Sequence, residues 1–247
     1  MKRLKDFKKK QKIRKMKIIT FLLVKALLAE NIFEKFSFPN VRIVPFKQND
    51  KDIEKYFERI KKLHLNHSPA EIADNAKKFK VNQKRVKIGS GKKCYQEAVK
   101  LIRNGSIVDK TVPWAQLLME KGSKNKRIAK NDLLLTQALC YKVIWAVSPC
   151  KVVSAENNAT FTRNSDSKGI CSSISISTLK GHLISGEERF SVEMCFEDGS
   201  VWLDLYSVSR GAGVLGTIAM PLIRPLQKAF FKEICKNVSQ VVLSDQN

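Results

Sequence analysis

Four polar side chains within residues 177–190 are of the types that proton transfer or ligand recognition requires: His182, Glu187, Glu188 and Arg189. A histidine titrates near neutral pH, and a nearby carboxylate can orient it or exchange a proton with it. The same groups suit the polar end of a ligand site. The segment therefore predicts a catalytic or ligand-recognising edge. Its catalytic candidates are His182, Glu187 and Glu188.

The rest of the chain supplies no nucleophile, metal or cofactor motif to accompany these groups. The glycine-rich stretch 89–93 has Lys93 where a phosphate-binding loop needs Ser or Thr. The six cysteines lie far apart, without a Cys-x-x-Cys pair. We therefore expect no metal and no cofactor, and favour binding over catalysis. The structural alternative for Glu187 is an ion pair with Arg210 or Arg224.

Alternation of period two from residue 133 onward predicts the strands that position this segment. Apolar residues alternate with polar ones through 190–196, and again through 201–206, where Trp202 and Tyr206 share the face opposite Leu203. Asp-Gly at 198–199 is a hairpin signal, because it supplies the positive φ angles of a tight turn. These patterns predict an antiparallel meander.

An apolar stripe at spacings of three and four from residue 215 to 241 predicts helix at the C-terminal end. Pro221 and Pro225 interrupt it, so we expect a short helix near 212–219 and a long one from about 221 or 225 to 243. The predicted fold class is α+β: a curved antiparallel sheet gripping a long C-terminal helix, with an N-terminal helical extension.

Charge divides the chain into two parts. Residues 1–93 carry 27 Lys/Arg against 9 Asp/Glu, whereas residues 94–247 carry 19 against 14. We therefore divide the chain into a basic, mostly helical, partly disordered extension at 1–80 and one domain at 81–247. Because the domain itself is nearly balanced in charge and the tail has no motif that recognises nucleic acid, nucleic acid is disfavoured as a partner.

Residues 1–36 offer a different partner. Ten Lys/Arg within residues 1–17 precede an amphipathic pattern that runs from Ile18 to Phe36. Such a segment can attach to an anionic membrane surface or dock on the protein itself. No window is long and apolar enough for a transmembrane helix. We expect an intracellular protein, cytoplasmic or peripheral on an organelle membrane, and leave open whether residues 1–36 belong to the native chain.

Five motifs occur in order along the chain: Val86–Ala98, Pro149–Val153, Thr178–Phe190, Ser207–Arg210 and Pro221–Gln227. Together they make the chain resemble uncharacterised protein family 0548 over about residues 82–242. The third motif contains Gly-His and Gly-Glu-Glu, and the fifth is Pro-Leu-x-Arg-x-x-Gln. The sequence departs from the family's Gly-Tyr-Gly just before Thr178, and at Gly211, where the family usually has proline.

The resemblance implies a helix-grip, START-like fold and no established reaction. On that basis we expect a small apolar or amphipathic ligand in a cavity between sheet and helix. The alternatives are a membrane-surface protein, since plant members are associated with the plastid outer envelope, and an enzyme using His182 and Glu187. The expected ligand-binding residues are Gly181, His182, Glu187, Arg189, Trp202, Tyr206, Arg210, Arg224 and Gln227.

Overall fold

A single antiparallel sheet organises the part of the chain that the computed structural model describes, residues 41–120, 127–163 and 167–244. Its strands follow the order β2-β8-β7-β6-β5-β4-β3, and β1 pairs with β5 beside this path. Consecutive strands from β3 to β8 are therefore neighbours, which confirms the predicted meander. The strands are β1 (Arg42–Val44), β2 (Lys80–Ser90), β3 (Ala115–Met119), β4 (Leu133–Cys140), β5 (Ile144–Arg163), β6 (Ser167–Thr178), β7 (Ile184–Cys195) and β8 (Ser200–Gly211).

The five α-helices of the described residues range from 6 to 32 residues. They are α1 (Asp50–Ile60), α2 (Pro69–Asp74), α3 (Gly91–Arg103), α4 (Ser106–Thr111) and α5 (Gly213–Ser244), and a 3-10 turn occupies Ala76–Lys78. Helix α5 has 32 residues and lies across the concave face of the sheet. This arrangement of a curved sheet gripping a long C-terminal helix confirms the predicted fold class.

The expectation of two C-terminal helices was wrong, because α5 runs through Pro221 and Pro225 without a break. Both prolines lie on its exposed face. A proline removes its own backbone hydrogen bond and crowds the carbonyl four residues before it, and on an exposed face that carbonyl can tilt outward to water. The helix therefore continues, and its apolar stripe stays in register along the sheet.

The C-terminal half of α5 fills the concave face of the sheet. Phe231, Ile234 and Val238 are each at most 1% exposed and belong to one buried cluster with residues of β7, β8 and α3. Burial of aliphatic and aromatic side chains on this scale is the main source of folding free energy. This cluster fixes one end of the helix on the sheet.

Helix α1 covers the opposite, convex face. Its buried residues form a second cluster with Leu135 on β4, Val147 on β5 and Leu179 just after β6. The helix residues of this cluster are Ile53, Tyr56, Phe57 and Ile60. Its first turn is capped by Asn49, whose side chain accepts a hydrogen bond from the backbone N–H of Asp52 at 3.0 Å. Residues 41–60 therefore pack against the sheet through β1 and α1.

The predictions for residues 1–36 lie outside the described residues. Within the described part of the chain, no helix combines the length and apolar character needed to cross a bilayer. In the same residues, no group of three or more His, Cys, Asp or Glu side chains is placed to hold a metal ion. The six cysteines at 94, 140, 150, 171, 195 and 235 are free thiols.

Candidate ligand cavity

A cavity of about 440 Å³ lies between the concave face of the sheet and the N-terminal half of α5. Whereas the C-terminal half of the helix packs directly on the sheet, residues 215–230 stand away from it and line this space with apolar side chains. The other apolar lining comes from the sheet, from α3 and α4, and from the loops beside them. Representative lining residues are Ile107, Trp114, Leu134, Ile176, Phe190, Leu215, Ala219, Leu222, Leu226 and Phe230.

Glu188 is placed in this apolar lining by the alternation of β7. Its neighbours on the same face, Phe190 and Val192, belong to the core beneath α5, and its partners across the sheet are Ile176 on β6 and Ser207 on β8. Its carboxyl has no hydrogen-bond or ion-pair partner among the described residues. The cavity wall therefore carries an acidic group without a partner on a largely apolar surface.

The surroundings of Glu188 change its protonation. Burial raises the pKa of its carboxyl from 4.5 to about 8, because a carboxylate loses its hydration in an apolar site and gains no partner there. At neutral pH the group is mainly protonated. A protonated carboxyl both donates and accepts a hydrogen bond, so it can bind either kind of polar ligand atom.

His182 also lines the cavity, and it is neutral. Its Nδ1 accepts a hydrogen bond from the backbone N–H of Ile184 at 2.9 Å, so the proton of the neutral ring is on Nε2. Burial lowers its pKa to about 4. The side chain therefore offers a donor at physiological pH and no positive charge.

Glu187 does not form the predicted ion pair with Arg210 or Arg224. Successive side chains of a strand point to opposite faces, so Glu187 points away from the face of Glu188. Its carboxylate contacts His67, with 3.4 Å between Glu187 Oε1 and His67 Nε2. His67 also contacts Ser177 Oγ at 3.2 Å and donates from Nδ1 to Asn66 Oδ1 at 2.9 Å. This buried network joins the segment before α2 to β6 and β7.

The two arginines bond elsewhere. Arg210 pairs with Glu71 on α2 and stacks over the Phe79 ring at 5.0 Å. Arg224 on α5 donates to Ser209 Oγ at 2.8 Å and to Gln227 Oε1 at 3.0 Å. Both arginines therefore fasten elements of the fold to β8.

The structure divides the predicted ligand-binding residues between two faces. His182 and Gln227 contribute to the cavity lining, as does the candidate Glu188. Glu187 also borders the cavity, but its carboxylate contacts His67 on the other face of the sheet. Arg224 lies beside Gln227, and Gly181 lies in the turn before His182 with φ of 89°. Arg189, Trp202, Tyr206 and Arg210 lie on the convex face, where Arg85 stacks over Trp202 at 4.1 Å and Arg189 over Tyr206 at 5.5 Å.

The sequence patterns did not identify the serines of the cavity wall. Ser207 and Ser209 line it from β8, two and four residues after Leu205, on the face opposite Trp202 and Tyr206. Ser207 Oγ is buried without a hydrogen-bond partner among the described residues. Alternation along β8 could have placed both serines on the helix-facing side. It could not have shown which side faces the helix.

A curved antiparallel sheet that grips a C-terminal helix, with a cavity between them, defines a helix-grip protein. The particular family follows from the sequence: the chain belongs to the family described as Domain of unknown function (DUF1990), whose profile matches residues 67–237. It is 28% identical over 178 residues to a UPF0548 protein of Arabidopsis thaliana, a match that covers 68% of this chain and 74% of the relative. A UPF0548 protein of Dictyostelium discoideum is 26% identical over 177 residues, covering 68% and 76%.

Solved structures with a similar fold share little sequence with this chain. A hypothetical protein from Helicobacter pylori, jhp0584, matches with a TM-score of 0.48 at 10% identity and covers 71% of this chain and 95% of its own. A START superfamily protein from Mycobacterium smegmatis matches with a TM-score of 0.42 at 12% identity, covering 66% and 98%. The expected resemblance to uncharacterised family 0548 is confirmed by the sequence relatives.

Proposed function

We propose that this protein binds a small apolar or amphipathic molecule in the cavity between the sheet and α5. The observation that carries the proposal is the cavity itself: about 440 Å³ in volume, with a lining that is apolar except for a few polar side chains. Ligand sites commonly span about 300–1,000 Å³ and combine an apolar wall with a few convergent polar groups. The cavity has both properties.

Packing supports the same proposal. Protein interiors are close-packed, and a large apolar space within a core costs stability because its walls lose contact with partner atoms. The C-terminal half of α5 shows that this sheet and helix can pack without a gap. The space along residues 215–230 is therefore expected to serve a ligand, which would restore the missing contacts.

The polar residues of the wall give the bound molecule an orientation. Glu188, His182 and Gln227 all contribute to it, whereas Ile107 and Trp114 belong to its apolar part. We place the polar end of the ligand beside Glu188, where a group that both donates and accepts hydrogen bonds is available. The hydrocarbon part then lies along α5.

Filling the cavity is expected to abolish binding. Ala219 on α5 lines the cavity, so Ala219→Trp would place an indole in the space that the ligand needs. Ala229→Trp is a matched control, because Ala229 lies on the same helix and is exposed. Titration with the neutral fluorescent probe N-phenyl-1-naphthylamine measures occupancy. We expect saturable one-to-one binding by the wild type and Ala229→Trp, and at least about a tenfold loss in Ala219→Trp.

A probe that bound Ala219→Trp as tightly as the wild type would place the binding site outside this cavity. No saturable binding to the wild type would contradict the proposal directly. Circular dichroism of both variants checks that the helix and the sheet remain folded.

A further inference from the structure

Glu188 has no electrostatic complement on the cavity wall. Among the described residues that line the cavity there is no Lys or Arg. Arg224, on the helix above, donates its hydrogen bonds to Ser209 and Gln227. Ser207, which faces Glu188 across the strand pair, presents a hydroxyl and no charge. An acid in an apolar cavity without a cation is costly to ionise, and proteins generally pair such groups.

The other titratable groups of the lining do not supply the missing charge. Burial raises the pKa of Cys150 to about 12 and that of Cys140 to about 11, and it also raises the pKa of Tyr141. His182 is neutral above its lowered pKa of about 4. Each of these groups is uncharged between pH 6 and 9. The Glu187 carboxylate is directed to His67 on the convex side.

We propose that the ligand is an apolar molecule with one protonated amine, whose ammonium group pairs with the carboxylate of Glu188. An ammonium ion supplies the Coulomb attraction and the hydrogen bonds that the carboxylate lacks in the empty cavity. A fatty-acid carboxylate meets no cation on this wall and would lie beside a second acid, so we expect it to bind more weakly than an amine. This inference rests on the proposed function, because it names the chemical class of the molecule that the cavity takes.

Binding of such an amine releases a proton. At pH 7 Glu188 is mainly protonated, since its pKa is about 8 in the empty cavity. The amine enters as ammonium and keeps its proton, the carboxyl loses its proton to the solvent, and the complex holds one ion pair. By linkage, amine affinity rises with pH up to about pH 8, by at most about tenfold for each pH unit. Neutral ligands do not share this dependence.

Three probes with the same hydrocarbon chain test the head group. Decylamine, decanol and decanoate are used below their aggregation concentrations to displace N-phenyl-1-naphthylamine from the full chain at pH 6, 7 and 8. At pH 8 we expect decylamine to bind about tenfold or more tightly than decanol, and decanoate to bind most weakly. The affinity for decylamine, and not that for decanol, is expected to rise from pH 6 to pH 8.

Glu188→Gln removes the charge and keeps the shape of the side chain. We expect this variant to bind decylamine and decanol equally, with no rise in amine affinity between pH 6 and 8. Glu156→Gln is the matched control, because Glu156 is exposed on β5 and makes the same change of charge away from the cavity. It should retain the wild-type preference.

The outcomes separate this inference from the proposed function. If decanol displaces the probe and decylamine is no better, or if Glu188→Gln keeps the amine preference, the amine assignment is overturned while the cavity remains a binding site. If N-phenyl-1-naphthylamine does not bind the wild type at all, the proposed function fails, and the amine assignment fails with it. Isothermal titration of decylamine in two buffers of different ionisation enthalpy measures the released proton directly.

Discussion

Glu188→Gln is expected to raise the free energy of unfolding by about 3 kcal/mol at pH 8 and to leave it nearly unchanged at pH 4.5. The carboxyl has a pKa of about 8 in the folded protein, raised by burial from its ordinary 4.5. The folded state therefore holds a proton that the unfolded state releases between these values. Wild-type stability from this group is fully present below pH 4.5 and is lost as the pH rises towards 8.

The size of the effect follows from the pH range between the two pKa values of this carboxyl, 4.5 and about 8. Each pH unit within it is worth about 1.4 kcal/mol, so the ceiling is roughly 5 kcal/mol, and water entering the cavity reduces it. Urea unfolding of the wild type, Glu188→Gln and Glu156→Gln at pH 4.5, 6, 7 and 8 measures the difference. Parallel stability curves for the wild type and Glu188→Gln would show that Glu188 is solvated in the folded protein and carries no burial cost.

Phe57→Ala is expected to lower the free energy of unfolding of the whole described fold by about 3–5 kcal/mol, because it leaves a cavity in a packed core. Phe57 is 1% exposed and lies between α1 and the convex face, against Leu135, Val147 and Leu179. Our division of the chain at residue 80 places α1 in an extension. Because α1 packs on the sheet, we predict that the two unfold together.

The measurement is urea unfolding followed by tryptophan fluorescence and by far-ultraviolet circular dichroism. The three tryptophans, Trp114, Trp145 and Trp202, all lie outside α1, so a shared shift of both transitions shows that α1 and the sheet unfold together. Lys55→Ala is the control, since Lys55 is exposed on the same helix. If Phe57→Ala reduces helical signal without moving the fluorescence transition, α1 is an independent appendage.

Local patterns predicted the sheet because strands and turns depend on neighbouring residues. The alternation through 190–196 and 201–206 corresponds to β7 and β8, and Gly199 between them adopts φ of 64° as the Asp-Gly turn predicted. The path of α5 through Pro221 and Pro225 was not predictable from the same rules. Whether a proline ends a helix depends on which face it occupies, and tertiary packing determines that face.

The site was predictable in its residue types but not in its geometry. His182 and Glu188 were identified because their side chains titrate, and both line the cavity. The sequence places Trp202 and Tyr206 on one face of β8, but only packing shows that this face is the convex one. The contact between His67 and Glu187 joins residues that are 120 positions apart, and no local pattern carries that information.

Two family motifs gain a physical explanation from these contacts. In the Pro-Leu-x-Arg-x-x-Gln motif, Arg224 and Gln227 both bond Ser209 Oγ, which ties α5 to β8. In the Thr178–Phe190 motif, Gly186 must lack a side chain, because a Cβ there would collide with the carbonyl oxygen of Val208 on the neighbouring strand. These contacts hold the edges of the cavity in place.

Native mass spectrometry of the full chain purified from a cell extract can show whether the cavity holds a small molecule. We predict a stoichiometric adduct on the wild type and on Ala229→Trp that is absent from Ala219→Trp, and that carries a basic nitrogen if Glu188 pairs with an amine. If the wild type and Ala219→Trp had the same adducts, or if the wild type had the mass of the bare chain, the cavity would not be a ligand site.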